Sequence, residues 1–192
     1  MEPGTLVPNP LVRTPAQFQP VHDVNGNSLQ PHAGLVLDFD EENRLVRSAS
    51  AAGVEEYLYD GLGRRVERRV YAPSGGALLQ WVLYTYDGWS QLEELHLESG
   101  STLVFASFTR GTDLSGSLQG AGGIGGLLAL TRNPLQADRS SACYFSDGNG
   151  NVTRLFAPDN SLLASYSYSP YGETLERSGP WAGLNAFRFS SK

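Results

Sequence analysis

The stretch Tyr57-Leu-Tyr-Asp-Gly-Leu-Gly-Arg-Arg65 decides the fold class predicted for this chain. Two tyrosines alternate with a leucine before an Asp-x-x-Gly phrase, a pattern typical of an aromatic strand that runs into a turn. The side chain of Asp60 can accept a hydrogen bond from the backbone two residues on, and Gly63 can take the positive φ that closes a bulged hairpin. The stretch therefore predicts a hairpin tip, with Tyr59 as the last residue before the turn and Arg64 as the first residue after it.

The same phrase recurs along the chain with Gly, Asn or Ser at its fourth position. Its first positions are separated by 17, 20, 27, 26, 34 and 22 residues. Such spacing indicates a repeat architecture in which each unit buries its apolar face against its neighbours. Further stretches in which tyrosine alternates with other residues, such as the one that ends at Tyr86, predict a chain that is nearly all β. The copies are Asp23–Gly26, Asp40–Asn43, Asp60–Gly63, Asp87–Ser90, Asp113–Gly116 and Asp147–Gly150, with a degenerate form at Ser169–Gly172.

These residues resemble the YD repeats of bacterial Rhs proteins, toxin-complex shells and teneurins, and the later stretches resemble the Rhs-associated core. The resemblance covers roughly residues 17–192. It implies an open, curved sheet of antiparallel β-hairpins that forms the C-terminal part of a shell around a cargo polypeptide, often a toxin. It also implies a secreted or cell-surface location within a larger protein. The motifs that carry it are Tyr57–Arg65, Tyr84–Leu92, Gly111–Ala129, Tyr144–Val152 and Tyr168–Gly172.

Two properties of the family have no counterpart in this sequence. Family cores continue past a segment like Phe187–Lys192 to an Asp-Pro-x-Gly motif linked to self-cleavage, whereas Ser169-Pro170 lacks the aspartate. Family shells also use many more repeats than 192 residues can hold. We therefore expect a terminal fragment, or a core separated from its cargo. The expected partners are the remainder of the shell and its C-terminal cargo, and open sheet edges should self-associate.

Composition divides the chain into three segments. Residues 1–20 hold five of the eleven prolines and are predicted to be an extended linker. Residues 21–110 carry the YD-repeat hairpins. Residues 111–192 carry the Gly-rich, Rhs-core-like segment and the final hairpins, and a single continuous sheet could span both segments.

Charge and hydropathy exclude several classes of partner. The net charge is −6, and Lys192 is the only lysine beside thirteen arginines, so nucleic acid is a poor partner. The dense basic run Arg64–Arg69 would place arginines on both faces of a strand, where they can pair with the abundant acids. The sequence contains no run of about 18 apolar residues, so no membrane span is predicted. No signal peptide is visible after Met1.

Two motifs imitate cofactor sites. Gly120–Gly125 matches the dinucleotide fingerprint, and Asp138 lies 18 residues after its start, but the flanking strand and helix are not predicted. Asp147–Asn151 resembles the opening of a calcium loop, yet Val152 and Pro158 stand where the loop needs its sixth-position glycine and its bidentate acid. A packed glycine turn and a hairpin tip explain these residues better, so no cofactor and no metal is expected.

No set of residues predicts catalysis. The acidic pairs Glu41-Glu42, Glu55-Glu56 and Glu93-Glu94 would point to opposite faces of a strand. The single Cys143 has no predicted activating histidine and is expected to be a small buried hydrophobe. The chain lacks a Gly-x-Ser-x-Gly elbow and a His-Glu-x-x-His motif. The chain is therefore predicted not to be an enzyme.

An alternative to the shell is a binding module with an aromatic face that contacts glycans or a cell-surface protein. Its anchors would be Trp81, Trp89 and Trp181, because aromatic rings stack on sugars and supply interface hot spots. Exposed and clustered tryptophans would favour binding. Buried tryptophans would favour the structural role.

Overall fold

The protein is described by a computed structural model that covers residues 19–73, 76–98, 103–133 and 139–191. Most of the predicted linker, residues 1–20, therefore lies outside the described residues. None of the helical turns in the described residues has the length and hydropathy needed to cross a membrane. The described elements are β1 Val21–His22, β2 Ser28–Gln30, β3 Leu35–Phe39, β4 Leu45–Ser50, β5 Gly53–Tyr59, β6 Arg65–Tyr71, β7 Leu78–Asp87, β8 Ser90–Glu98, β9 Leu103–Arg110, β10 Leu127–Arg132, β11 Ser140–Ser146, β12 Val152–Phe156, β13 Leu162–Tyr168, β14 Thr174–Ser178 and a 3₁₀ turn at Phe189–Ser191.

Strands β3 to β14 form one twelve-stranded sheet in strict chain order, and every neighbouring pair is antiparallel. The predicted all-β array of antiparallel hairpins in an open sheet is confirmed. Strands β1 and β2 form a separate hairpin that lies against β3. The pairing of β9 with β10 carries the sheet across the boundary between the segments 21–110 and 111–192.

Antiparallel order places alternate connections at the same end of the sheet. Six connections lie at one end of the strands, and we call this end of the sheet the tip edge, which is made of hairpin turns and is not an edge strand. The connections are β3–β4, β5–β6, β7–β8, β9–β10, β11–β12 and β13–β14. Every copy of the Asp phrase from Asp40 onward falls at this edge. The repeat therefore fixes one edge of the sheet, and the opposite edge is made by turns of varied sequence.

The hydrophobic core lies on one face of the second half of the sheet. Cross-strand register aligns Phe108, Leu130 and Ala142 in one row, and the neighbouring row contains Leu155, which is fully buried. The chain that follows β14, residues 181–191, packs back over this face, and we call it the return segment. Its Ala182 is buried in the same cluster. We call the face that it covers the covered side of the sheet.

Candidate functional site: the tip edge and the covered side

Asp60 shows the geometry of a hairpin tip. One carboxylate oxygen accepts hydrogen bonds from the backbone N–H groups of Leu62 (2.9 Å) and Arg64 (3.0 Å). The backbone N–H of Gly63, which has a φ of 79°, donates to the carbonyl of Asp60. This arrangement is an Asx turn closed by a residue with positive φ. Equivalent carboxylate bonds are made by Asp23, Asp40 and Asp147, and the residues with positive φ are Gly26, Asn43 and Gly150.

The residue that follows the four-residue phrase links one tip to the next. The Arg64 side chain donates to the second oxygen of Asp60 at 2.7 Å and also to the carbonyl of Gly88 on the following tip. Its guanidinium lies 5.2 Å from the ring centroid of Tyr86, whose hydroxyl donates to the carbonyl of Arg65 at 2.8 Å. The hydrogen bond from Arg64 holds the pKa of the Asp60 carboxyl below its ordinary value. Arg44, Asp40, Tyr59 and Leu45 repeat this arrangement one hairpin earlier.

The tip at Asp87 departs from this pattern. The chain reverses through two residues, Gly88 and Trp89, with Asp87 paired to Ser90 at the ends of β7 and β8. Positive φ falls on Gly88, at 53°, rather than on the fourth position of the phrase, Ser90. The side-chain amide of Gln119 then holds this tip, since it donates to the Asp87 carbonyl and accepts from the Trp89 N–H, each at 2.9 Å.

Asp113 organises the glycine-rich connection between β9 and β10. It is buried, and its carboxylate accepts hydrogen bonds from both the hydroxyl and the N–H of Ser115. It also accepts from the N–H groups of Ala121 (2.6 Å) and Gly123 (3.1 Å). These bonds, led by that of the Ser115 hydroxyl, lower the pKa of Asp113 to about 2. Two N–H groups of the run Gly120–Gly125, those of Ala121 and Gly123, thus serve an internal carboxylate rather than a bound phosphate.

Asp147 and its neighbours form a hairpin tip. One oxygen of Asp147 accepts from the N–H groups of Asn149 and Asn151, and the other accepts from the Asn151 side-chain amide at 2.9 Å. No group of three or more metal-ligating His, Cys, Asp or Glu side chains occurs among the described residues. In the degenerate tip Ser169–Gly172, the Ser169 hydroxyl accepts the hydrogen bonds that a carboxylate accepts in the other copies.

The basic run on β6 pairs with acids and tyrosines. Arg68 makes two hydrogen bonds of 2.8 Å to Glu55, and Arg69 pairs with Glu67. The Arg65 guanidinium lies between two tyrosine rings, 5.5 Å from the centroid of Tyr57 and 5.2 Å from that of Tyr84. These contacts agree with the predicted pairing of the run. The charges of these arginines are thus matched by acidic and aromatic side chains of the same sheet.

The return segment is attached to the covered side by buried polar contacts. Asn185, which is 2% exposed, accepts a hydrogen bond of 2.8 Å from the hydroxyl of Tyr144. Burial raises the pKa of that hydroxyl above its ordinary value. The Tyr166 hydroxyl donates to the Ala182 carbonyl, and the Ser191 hydroxyl donates to the Gly150 carbonyl on the tip edge. The sequence did not single out Asn185; an isolated amide in an aromatic stretch was the available signal.

The three tryptophans occupy three different places. Trp89 is 63% exposed at a hairpin tip. Trp81 is half-buried on β7, with Arg69 over its ring, and Trp181 packs against the core cluster. They do not form the single exposed cluster that would favour an aromatic binding face.

The prediction for Cys143 is wrong, because its side chain is exposed. It lies on β11 between the buried residues Ala142 and Tyr144, so strand alternation directs it away from the covered side. The thiol therefore lies on the face opposite the covered side.

Comparison with known proteins establishes a fold. No family model matches the chain, and no curated protein matches it in sequence. Solved structures of Tc toxin proteins do match, each over 89% of this chain and 8% of the longer one. They are the TcdB2-TccC3 complex (TM-score 0.66, 17% identity), TcdB2-TccC3-Cdc42 (0.64, 17%) and a Tc holotoxin pore of Photorhabdus luminescens with a TccC3 mutation (0.64, 18%). The chain thus shares its fold with a short part of these toxin chains.

Proposed function

We propose that this chain is a structural segment of a YD-repeat shell that encloses or presents a C-terminal cargo polypeptide. The observation that carries the proposal is the twelve-stranded sheet in strict chain order, in a chain of which 89% matches part of a TcdB2-TccC3 chain in structure. Because one of the similar structures is a Tc holotoxin pore, we also propose a secreted or cell-surface location and a non-enzymatic role.

The chemistry of the tip edge supports a structural role. Its carboxylates accept backbone hydrogen bonds within the turns, and its arginines connect one tip to the next. Groups that are held in this way stabilise a wall rather than act on a substrate. The remainder of the shell would pair with β3 and β14, because each is hydrogen-bonded to only one strand among the described residues.

In the assembled protein, we propose that the covered side faces the interior. Cys143 would then lie outside. Ser48 would lie inside, because cross-strand register aligns it through Glu55 and Val70 with Gln80, which faces residues 183–186 of the return segment. In the complete gene product that contains this chain, Cys143 should react quickly with a membrane-impermeant maleimide. A Ser48→Cys variant in a Cys143→Ser background should react at least about tenfold more slowly, which corresponds to more than about 1.4 kcal/mol of protection.

Cryo-electron microscopy of the same protein should place the twelve strands in the wall of a hollow shell. Equal labelling at the two positions, together with a sheet exposed to solvent on both sides, would contradict the proposal. Labelling of both cysteines after mild denaturation is the control for intrinsic thiol reactivity.

A second candidate function is contact with a glycan or a cell-surface protein, and the exposure of Trp89 is the observation that favours it. Binding would depend on this tip rather than on Trp181. A Trp89→Ala variant should lose binding on a glycan array, whereas the parent chain should retain it.

A further inference from the structure

A cavity lies between the return segment and the sheet. Its volume is about 270 Å³, and its walls come from strands β7 to β11 and from residues 183–186. At roughly 30 Å³ per water in the liquid, this space holds about nine water-sized groups. The cavity is therefore suited to a small organic molecule, and the shell role makes no use of it.

Opposite charges stand on two sides of the cavity. Cross-strand register places Glu94 opposite Ala106, and Ala106 opposite Arg132. The two charged residues are therefore separated by two strand spacings, roughly 10 Å between their backbones. Because only the methyl group of Ala106 stands between them, the row leaves space above the sheet. All three side chains line the cavity.

Glu94 is held as a fixed negative charge. The Gln91 amide donates to one of its oxygens at 2.6 Å, and Nε2 of His96 lies 2.9 Å from the other. Burial opposes ionisation of Glu94, but the hydrogen bonds from His96 and Gln91 outweigh it and keep the pKa of the carboxyl below its ordinary value. Glu94 is thus an anion at neutral pH, with lone pairs left for a cationic ligand.

Arg132 is the complementary cation. Its guanidinium lies 6.0 Å from the ring centroid of Trp181, within the range of a cation–π contact. Within the part of the chain that the structure describes, Arg132 takes part in no salt bridge. The fork of a guanidinium matches a carboxylate, so an incoming carboxylate would complete this site.

Apolar side chains form the rest of the floor. Phe108 and Leu130 are buried, line the cavity and pair with each other across β9 and β10. A pocket of this kind combines apolar contact with a few polar groups that fix the orientation of the ligand. The ligand must therefore carry both charges and an apolar group.

We propose that the cavity binds a free α-amino acid with an apolar side chain, its carboxylate on Arg132, its ammonium group on Glu94 and its side chain against Phe108 and Leu130. L-leucine has the size and the charges that the cavity requires. The site is independent of the shell role, because it depends on the covered side of this chain alone.

Ligand-observed NMR titration of the chain with L-leucine tests the proposal. We expect saturable binding, and at least about tenfold weaker binding of 4-methylpentanoate, which lacks the ammonium group, and of 3-methylbutylamine, which lacks the carboxylate. This analogue series uses the parent protein, so it does not depend on the folding of any variant. Absence of saturation at about 10 mM leucine, or equal binding of the three compounds, would overturn the proposal.

Two matched variants assign the charges. Arg132→Gln should weaken leucine binding at least about tenfold and remove the preference for leucine over the amine, and Glu94→Gln should remove the preference over 4-methylpentanoate. Arg154→Gln, at an exposed position on β12, is the control and should bind leucine as the parent does. Unchanged binding by Arg132→Gln and Glu94→Gln would also overturn the assignment.

Discussion

Strands β3–β8 and strands β9–β14 belong to one sheet but are stabilised by different interactions. The buried hydrophobic cluster is formed by residues of β9–β13 and by Ala182 of the return segment. In β3–β8, the buried apolar residues of the described chain are Val54 and Val82. The first half instead has cation–π contacts between arginines and tyrosines and ion pairs such as Glu55–Arg68.

The difference follows from what covers the sheet. Both halves have the strand alternation and the hairpin tips of the repeat, yet the return segment joins the buried cluster only with strands of the second half. An antiparallel sheet with one covered face acquires a dry core, whereas an uncovered face must keep polar groups. A repeat of this type therefore determines the sheet, and a separate segment determines where the core forms.

The largest expected effect is the loss of a core side chain. Leu155→Ala removes a fully buried side chain on β12 and should lower the free energy of unfolding by about 2–5 kcal/mol. Leu58→Ala on β5 changes a leucine that is 56% exposed and should cost less than about 1 kcal/mol. Urea unfolding of the two variants measures the comparison directly.

Equal losses of stability in these two variants would mean that both halves bury apolar surface to the same extent. The difference between the halves would then be absent in solution. The slope of the urea transition should stay the same in both variants, because neither change alters the surface exposed on unfolding.

A smaller effect is expected from two glycines with nearly the same backbone conformation. Gly63 and Gly150 have φ values of 79° and 76°. A Cβ atom at Gly63 would meet open space, whereas at Gly150 it would lie 2.5 Å from the Ile124 side chain and 2.9 Å from the N atom of Gly125. Gly63→Ala should therefore cost about 1 kcal/mol from the φ strain alone, and Gly150→Ala about 2–4 kcal/mol because overpacking adds to it.

Thermal melts of the two alanine variants provide the measurement. If Gly150→Ala were no worse than Gly63→Ala, the tip at Asp147 would not be packed against the glycine-rich connection. The second half would then lack the additional contacts that distinguish it from the first.

The sequence predicted the parts of this molecule that depend on local chemistry. An aspartate and a glycine three residues apart specify a turn by themselves, so the tips at Asp60 and Asp147 and the order of the hairpins could be predicted. The return segment could not, because its contacts follow no period. The bond from Tyr144 to Asn185 joins residues 41 positions apart.

Two further features of the site were missed for the same reason. Gln119 holds a tip that lies 30 residues before it, and Asp113 binds N–H groups of the glycine run up to 10 residues later. The exposure of Cys143 was missed because alternation alone does not identify which face of a strand is covered. Residue patterns thus predict periodic contacts and leave the aperiodic ones to the three-dimensional structure.

The smallest expected effect tests the polar links of the first half. Glu55 and Arg68 are partly exposed, so solvent screening limits their coupling in a double-mutant cycle of Glu55→Gln and Arg68→Gln to about 0.5–1 kcal/mol. Hydrogen bonds from Arg68 lower the pKa of the Glu55 carboxyl. A carboxyl with a lowered folded-state pKa stabilises the fold above its ordinary pKa, and it loses that contribution as the pH falls through the folded-state value. The coupling should therefore be complete at pH 7, decline below about pH 4.3 and weaken in 1 M salt. A coupling that changed with neither pH nor salt would mean that contact packing rather than charge joins these strands, and the two halves would then differ only in degree.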